Sequence, residues 1–155
     1  MSTVDLATEV AKGLVALHRR SPMAAFTTAR WIVTTAPRTA RMVAVLYAAY
    51  LATPIRVLMA RAAQQHDCTD ACGPSFVLFE RGQQVDVDVA PLRIRTIARM
   101  VSYSAHSDPG GAAAAWDALV ATGTRWQVVE VLHALAAHVV HLDGDPLTLV
   151  EHGQH

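Results

Sequence analysis

Charge is scarce in this sequence. Only 17% of its 155 residues are Asp, Glu, Lys or Arg, against about a quarter in ordinary globular chains. The surface must therefore be small, rich in uncharged residues such as Ala and His, or partly covered by a partner. Asparagine is absent, lysine occurs once, and no acidic residue stands between Glu9 and Asp67. Two cysteines, Cys68 and Cys72, are too few for a disulfide-built fold. No apolar run reaches the ~20 residues that span a bilayer. The longest, Met42 to Ile55, holds Pro54 and meets Arg56 at once. A nucleophile elbow, a phosphate-cradling glycine loop and a dinucleotide fingerprint are all missing, which removes the enzyme classes that depend on them.

What is present is apolar. Hydrophobic residues make up 52% of the chain, too many for intrinsic disorder. The formal net charge is zero, but it is unevenly divided. Residues 1–66 carry eight basic and two acidic side chains, a net of +6, and residues 67–155 carry five basic and eleven acidic, a net of −6. This divides the chain into a basic apolar helical region, 1–66, and an acidic region of a hairpin plus helices, 67–155, within one compact domain. Asp5 and Glu9 occupy the first turns, where an export signal would have a basic start and an apolar stretch. A cytoplasmic protein is expected. Heavy use of Ala and Arg with little Lys and no Asn suits a high-GC genome.

The periodicity predicts a mainly α fold, a bundle of about six to seven short helices with one small β-hairpin near 75–90. In helix 3–20, Leu6, Val10, Leu14 and Leu17 fall on one stripe. Ser21-Pro22, Thr35-Ala-Pro37 and Thr53-Pro54 punctuate the chain beyond that helix, because serine or threonine caps a helix and proline opens one. Helices at 22–35, 37–52 and 54–65 are expected, with breaks or kinks at Pro37 and Pro54. Gln64 to Pro74 forms a polar boundary. Strands at 76–79 and 85–89 form the hairpin, with Val85, Val87 and Val89 on one face and Asp86 and Asp88 on the other.

Pro91 opens a helix with Leu92, Ile94, Ile97, Ala98 and Val101 inward and Arg95 and Arg99 outward; a strand at 92–97 is the competing reading. Asp108-Pro109 caps a helix to Thr122, anchored by Trp116, Leu119 and Val120, with Gly123 at its end. The last helix, 124–142, has a capping box in Thr124 and Gln127. Its inner arc holds Val128, Leu132, Leu135, Val139 and Leu142, and its outer arc Glu130, His133, His138 and His141. Leu46 and Trp116 should join this core. The stretch from Trp116-Asp-Ala-Leu-Val to Leu135-Ala-Ala-His-Val resembles a helical hairpin of small uncharacterised proteins from high-GC actinobacteria or their phages. That resemblance implies a fold and no activity.

Several constellations could carry chemistry. His66, Cys68 and Cys72 combine imidazole and thiols in one loop, the donor set of a structural zinc site. A fourth ligand would have to come from His106 or from the histidines at 133, 138 and 141; otherwise these are ordinary loop cysteines and no cofactor is expected. Asp86 and Asp88 pair two carboxylates without a third. Ser102, Ser104 and His106 are close in sequence, but a catalytic triad is defined in space. No catalytic constellation is complete, so the expectation is a non-enzymatic interaction or regulatory accessory protein. Its partner would be a protein or a second copy, giving a homodimer through Trp31, Tyr47, Tyr50 and Met59. Two alternatives use the cations Arg30, Arg38, Arg41, Arg56 and Arg61: binding of nucleic acid, and attachment to an anionic membrane surface.

Overall fold

A computed structural model describes residues 2–66, 78–80 and 83–144. The chain is a helical bundle, with six α-helices among the described residues: α1 Thr3–Arg20, α2 Pro22–Thr35, α3 Pro37–His66, α4 Leu92–Ala105, α5 Pro109–Thr122 and α6 Arg125–Gly144. Helices α3 and α6 each touch the other five, so they form the axis on which the two halves of the chain meet.

Local chemistry fixes most of the helix ends. Ser2 caps α1 in a box with Asp5: the Asp5 N–H donates to Ser2 Oγ, and the Ser2 N–H donates back to the Asp5 carboxylate. Ser21 and Asp108 cap α2 and α5, each followed by proline in the first turn. Thr124 and Gln127 make the expected box at α6, at 2.8 and 3.2 Å. Gly123 closes α5 in extended conformation. A Cβ there would lie 2.8 Å from the Leu119 carbonyl oxygen, so the close approach, not a left-handed backbone, requires glycine.

The largest departure from expectation is at Pro54. Helices 37–52 and 54–65 are one continuous helix of 30 residues. Pro54 has no N–H to offer the Tyr50 carbonyl, a loss that costs about 3 kcal/mol in an unsupported helix. Packing offsets it. Ala48, Leu51 and Ala52 are buried just before the proline, and Ile55, Leu58 and Met59 are half-buried just after it. The continuous helix also changes the membrane arithmetic. By length and composition Pro37–Arg61 could cross a bilayer, with a mean hydropathy of 1.7.

The predicted hairpin is not a layer of this fold. Among the described residues, pairing runs over Leu78–Glu80 and Gln83–Val85, antiparallel, with Phe79 opposite Gln84; positions 76–77 of the expected first strand lie outside them. The strand expected at 85–89 ends at Val85, and Val87–Val89 is a turn of 3-10 helix. Asp86 caps that turn by accepting from the Asp88 N–H at 2.9 Å. The local Asx bond competes with the alternating valine pattern and wins.

The core itself is built on alanine. Ala7, Ala11, Leu14 and Val15 are buried on α1, and Ala25, Ala29 and Ile32 on α2. On α3 the buried set is Ala40, Val43, Ala44, Tyr47, Ala48, Leu51 and Ala52. The stripe of Leu6, Val10, Leu14 and Leu17 is therefore rotated: Leu6 is 45% exposed, and Val10 and Leu17 are half-buried. Small residues let helix backbones approach closely, and the larger ones flank the contact. On α4 the inward centre is Thr96, Met100 and Ser104, so Leu92, Ile94, Ile97 and Val101 lie at its edges. Val120 points outward, 53% exposed, while Trp116 and Leu119 anchor α5. Leu46 is only partly buried. On α6 the expected inner arc is buried throughout, together with Val129, Val131 and Ala136.

Candidate binding surfaces

The sequence-predicted sites fare unevenly. Cys68 and Cys72 lie outside the described residues, and His66 is the last residue of α3. Among the described residues, no three His, Cys, Asp or Glu side chains converge on a point that could hold a metal ion. Asp86 and Asp88 do not share a strand face: Asp86 caps its turn, and Asp88 accepts from Arg99 at 2.9 Å. His106 bonds the Ser102 carbonyl oxygen at 2.8 Å. In this contact the His106 ring meets a backbone carbonyl, not a serine hydroxyl. Ser104 is buried, and its hydroxyl has no partner among the described residues.

The five arginines are all exposed but do not form one face. At about 100° per residue, Arg38 and Arg56 share an azimuth on α3, while Arg41 is turned by about 60° and Arg61 by about 140°. Arg30 is on α2. Arg41 also has its own counter-ion: its guanidinium donates two hydrogen bonds of 2.9 Å to the Asp117 carboxylate on α5. That fork holds the Asp117 carboxyl below, and the Arg41 guanidinium above, their ordinary pKa ranges. The pair is about half exposed, so its contribution to stability is under about 1 kcal/mol. It is one direct ionic link between the basic and acidic halves.

The proposed interface residues also divide. Tyr47 is buried, 3% exposed, and its phenol donates a 2.7 Å hydrogen bond to the Ala11 carbonyl oxygen. Burial holds that phenol protonated well above the usual tyrosine range. Tyr47 is thus a pin between α1 and α3, not a contact surface. Trp31 and Tyr50 are exposed, at 63% and 47%, and Met59 is half-buried.

Two further features had no clear sequence signal. The first is a histidine–aromatic junction where α1, α2 and α6 meet. The rings of His18 and His133 are 5.0 Å apart, and Phe26 meets His133 edge-on at 5.3 Å. Trp126 leans on Phe26 at 5.0 Å and donates to Glu130 at 2.6 Å. His133 Nε2 lies 3.1 Å from the Pro22 carbonyl oxygen, which can only accept, so that nitrogen carries the proton. Burial lowers the His18 pKa, and charge on His133 and His141 lowers it further. His138 is open to solvent by area but crowded by protein on its other sides; that desolvation lowers its pKa, with smaller effects from His141 and Arg93.

Both histidines therefore favour the neutral form in the folded chain. As pH falls below the unfolded value of about 6.5, the unfolded chain takes up protons first. Stability is complete above that pH and is lost as pH falls towards the folded values. The melting temperature should be lower at pH 5.5 than at pH 7.5, and His18→Gln should flatten the slope. An equal or higher melting temperature at pH 5.5 would contradict the assignment.

The second feature is a groove between α1 and α3, with a cavity volume of about 410 Å³. One stripe of α1 supplies Thr8, Ala11, Lys12, Val15 and Arg19. Leu46, Tyr47 and Tyr50 come from α3, and Val139 of α6 closes the floor. The Tyr47–Ala11 hydrogen bond crosses this groove and fixes its width. Spacing alone could have found the α1 stripe, but not its pairing with α3, which depends on the rotation of α1 about its alanines. In comparisons with known proteins, no family model matches this chain, and no curated protein or solved structure is significantly similar to it.

Proposed function

We propose that this chain is a non-enzymatic interaction protein, a regulatory or accessory factor of the cytoplasm, and that its simplest partner is a second copy of itself. One observation carries the reading. The stretch Pro37–Arg61 is as apolar as a membrane-crossing helix, yet its own chain buries only 33% of that window. Tyr50 and Val57, each 47% exposed, lie within about 20° of one another around α3, with Leu46 and Arg61 flanking them. An apolar helix stripe of this kind usually marks a contact site, and symmetric dimers are the commonest oligomers. The low charge content supports the same reading, since little of the surface is equipped to stay solvated alone.

Light scattering at tens of micromolar tests it. The expected mass is twice the 16.7 kDa of one chain, and Val57→Glu should return it to one. A monodisperse wild-type monomer would defeat the self-association reading. The hydropathy of α3 also favours peripheral membrane attachment as a second reading. Co-sedimentation of the monomer with anionic vesicles would move the assignment there.

A further inference from the structure

We propose that the cavity where the α5–α6 turn meets the α2–α3 junction binds a small monocarboxylate whose apolar body carries a carbonyl oxygen. Arg125 holds the carboxylate, Val33, Val120 and Val128 hold the body, and the Trp116 indole N–H donates to the carbonyl.

Three observations carry this. The first is size and lining. The cavity has a volume of about 330 Å³, at the small end of the range for small-molecule pockets, which run from about 300 to 1,000 Å³ and are mostly apolar with a few placed polar groups. The second is sign. Arg125 is the one charged residue among the described residues that line the cavity. It is exposed, and its side chain makes no ion pair or hydrogen bond among the described residues. It stands in the first turn of α6, which holds no acidic residue, so the positive end of the helix dipole adds to its charge. A planar guanidinium meets a carboxylate with two parallel hydrogen bonds, so this single anchor is enough to hold one.

The third is a buried donor. The polar side chains of the lining are Thr34, Trp116 and Arg125. Thr34 already donates to the Arg30 carbonyl oxygen at 2.8 Å. Trp116 is 2% exposed, and its indole N–H has no hydrogen bond among the described residues. Ser104 Oγ is the one fully sealed side-chain polar atom without a partner among them. The Trp116 N–H is therefore open, and the cavity is what this residue lines. An indole N–H can only donate, so the group that satisfies it is an acceptor. A carboxylate at Arg125 and an acceptor at Trp116, joined by an apolar body, complete the lining.

The cavity shares no residue with the α3 stripe of Leu46, Tyr50, Val57 and Arg61, so ligand binding and self-association fail independently. Titration calorimetry of the whole chain provides the test. β-Benzoylpropionate is the full probe, γ-phenylbutyrate lacks the carbonyl, and butyrophenone lacks the carboxylate. The expected result is one β-benzoylpropionate per chain with a Kd on the order of 0.1 mM, reasonable for a ligand of about thirteen heavy atoms, and binding of each truncated probe weaker by about tenfold. Arg125→Ala should weaken both acids by about tenfold or more, as loss of a charge-assisted contact does, and leave butyrophenone unchanged. That side chain is exposed, so the variant should keep its far-ultraviolet circular dichroism. Trp116→Phe keeps an aromatic ring and removes the N–H; it should bring β-benzoylpropionate down to the affinity of γ-phenylbutyrate. Val120 is 53% exposed, so Val120→Trp should close the cavity without entering the core and abolish binding of every probe.

Absence of β-benzoylpropionate binding to wild type overturns the proposal. So does equal binding of the three probes, acid binding indifferent to Arg125→Ala, or wild-type affinity in Val120→Trp. The comparison of the two acids on wild type decides the carbonyl contact even if Trp116→Phe does not fold; a folded Trp116→Phe that still separates them overturns it.

Discussion

Leu135→Ala is expected to lower the free energy of unfolding by about 2–5 kcal/mol, a fall in melting temperature of roughly 5–15 °C for a chain of this length. Leu135 is wholly buried on α6, beside the equally buried Val131 and Leu132 and the nearly buried Val139. Helix α6 touches the other five helices, so the space left by the side chain cannot close by the shift of one neighbour. The size of the loss depends on how far the site collapses, which is why the range is wide. Val120→Ala is the matched control. It removes methyl groups from a residue that helical spacing places in the core but that is 53% exposed. Its effect should stay within about 0.5 kcal/mol. If the two variants melted together, α6 would not be part of the cooperative core.

Ala44→Leu is the second large effect, and it runs in the opposite sense of volume. Ala44 has no exposed surface and lies on α3 between Ala40 and Ala48, also buried. A leucine there adds three carbons at a helix contact whose spacing is set by methyl groups. Overpacking of this kind typically costs about 1–3 kcal/mol and occasionally more; at the axis of the bundle the upper end is expected. The urea midpoint should fall while its slope stays constant. Ala49→Leu, on the exposed side of the same helix, changes the same atoms without a neighbour to displace and should leave the midpoint nearly unchanged. A common shift in both variants would mean that helix propensity, not packing, governs α3.

The parts of the fold that were legible in the sequence are those governed by neighbours in sequence. Proline after serine or aspartate marks the starts of α2 and α5, and Thr124 with Gln127 marks α6. Helix α6 alone also has its buried arc where periodicity puts it, because its inner residues are large and branched. Helices α1 and α4 were misoriented for one reason. Reading the largest apolar residues as the centre of the face fails where the centre is Ala7 and Ala11, or Thr96 and Ser104. Pro54 was over-read as a break because the support it receives comes from packing outside its own segment. Asp86 and Asp88 were placed on a strand because alternation is visible in the sequence and an Asx turn competes with it only in three dimensions. The groove was invisible for a related reason. Its α1 side is a readable stripe, but its floor needs Leu46 and Val139, contributed from 34 and 127 positions beyond Lys12 by two other helices.

The alanine contacts constrain how this chain can vary. Ala7 and Ala11, Ala25 and Ala29, and Ala40, Ala44, Ala48 and Ala52 all recur at a spacing of four. Such positions can hardly grow, because a larger side chain would force backbones apart, and they can hardly shrink, because glycine costs a helix interior about 1 kcal/mol. Charged and aromatic positions on the outside are under no such restriction from packing. Divergent members of its lineage should therefore differ in the residues that usually advertise kinship, and keep instead a phase of small residues that ordinary substitution scoring weighs lightly. The rhythm of alanines on three consecutive helices, separated by a serine–proline and an alanine–proline junction, is the inheritance to look for.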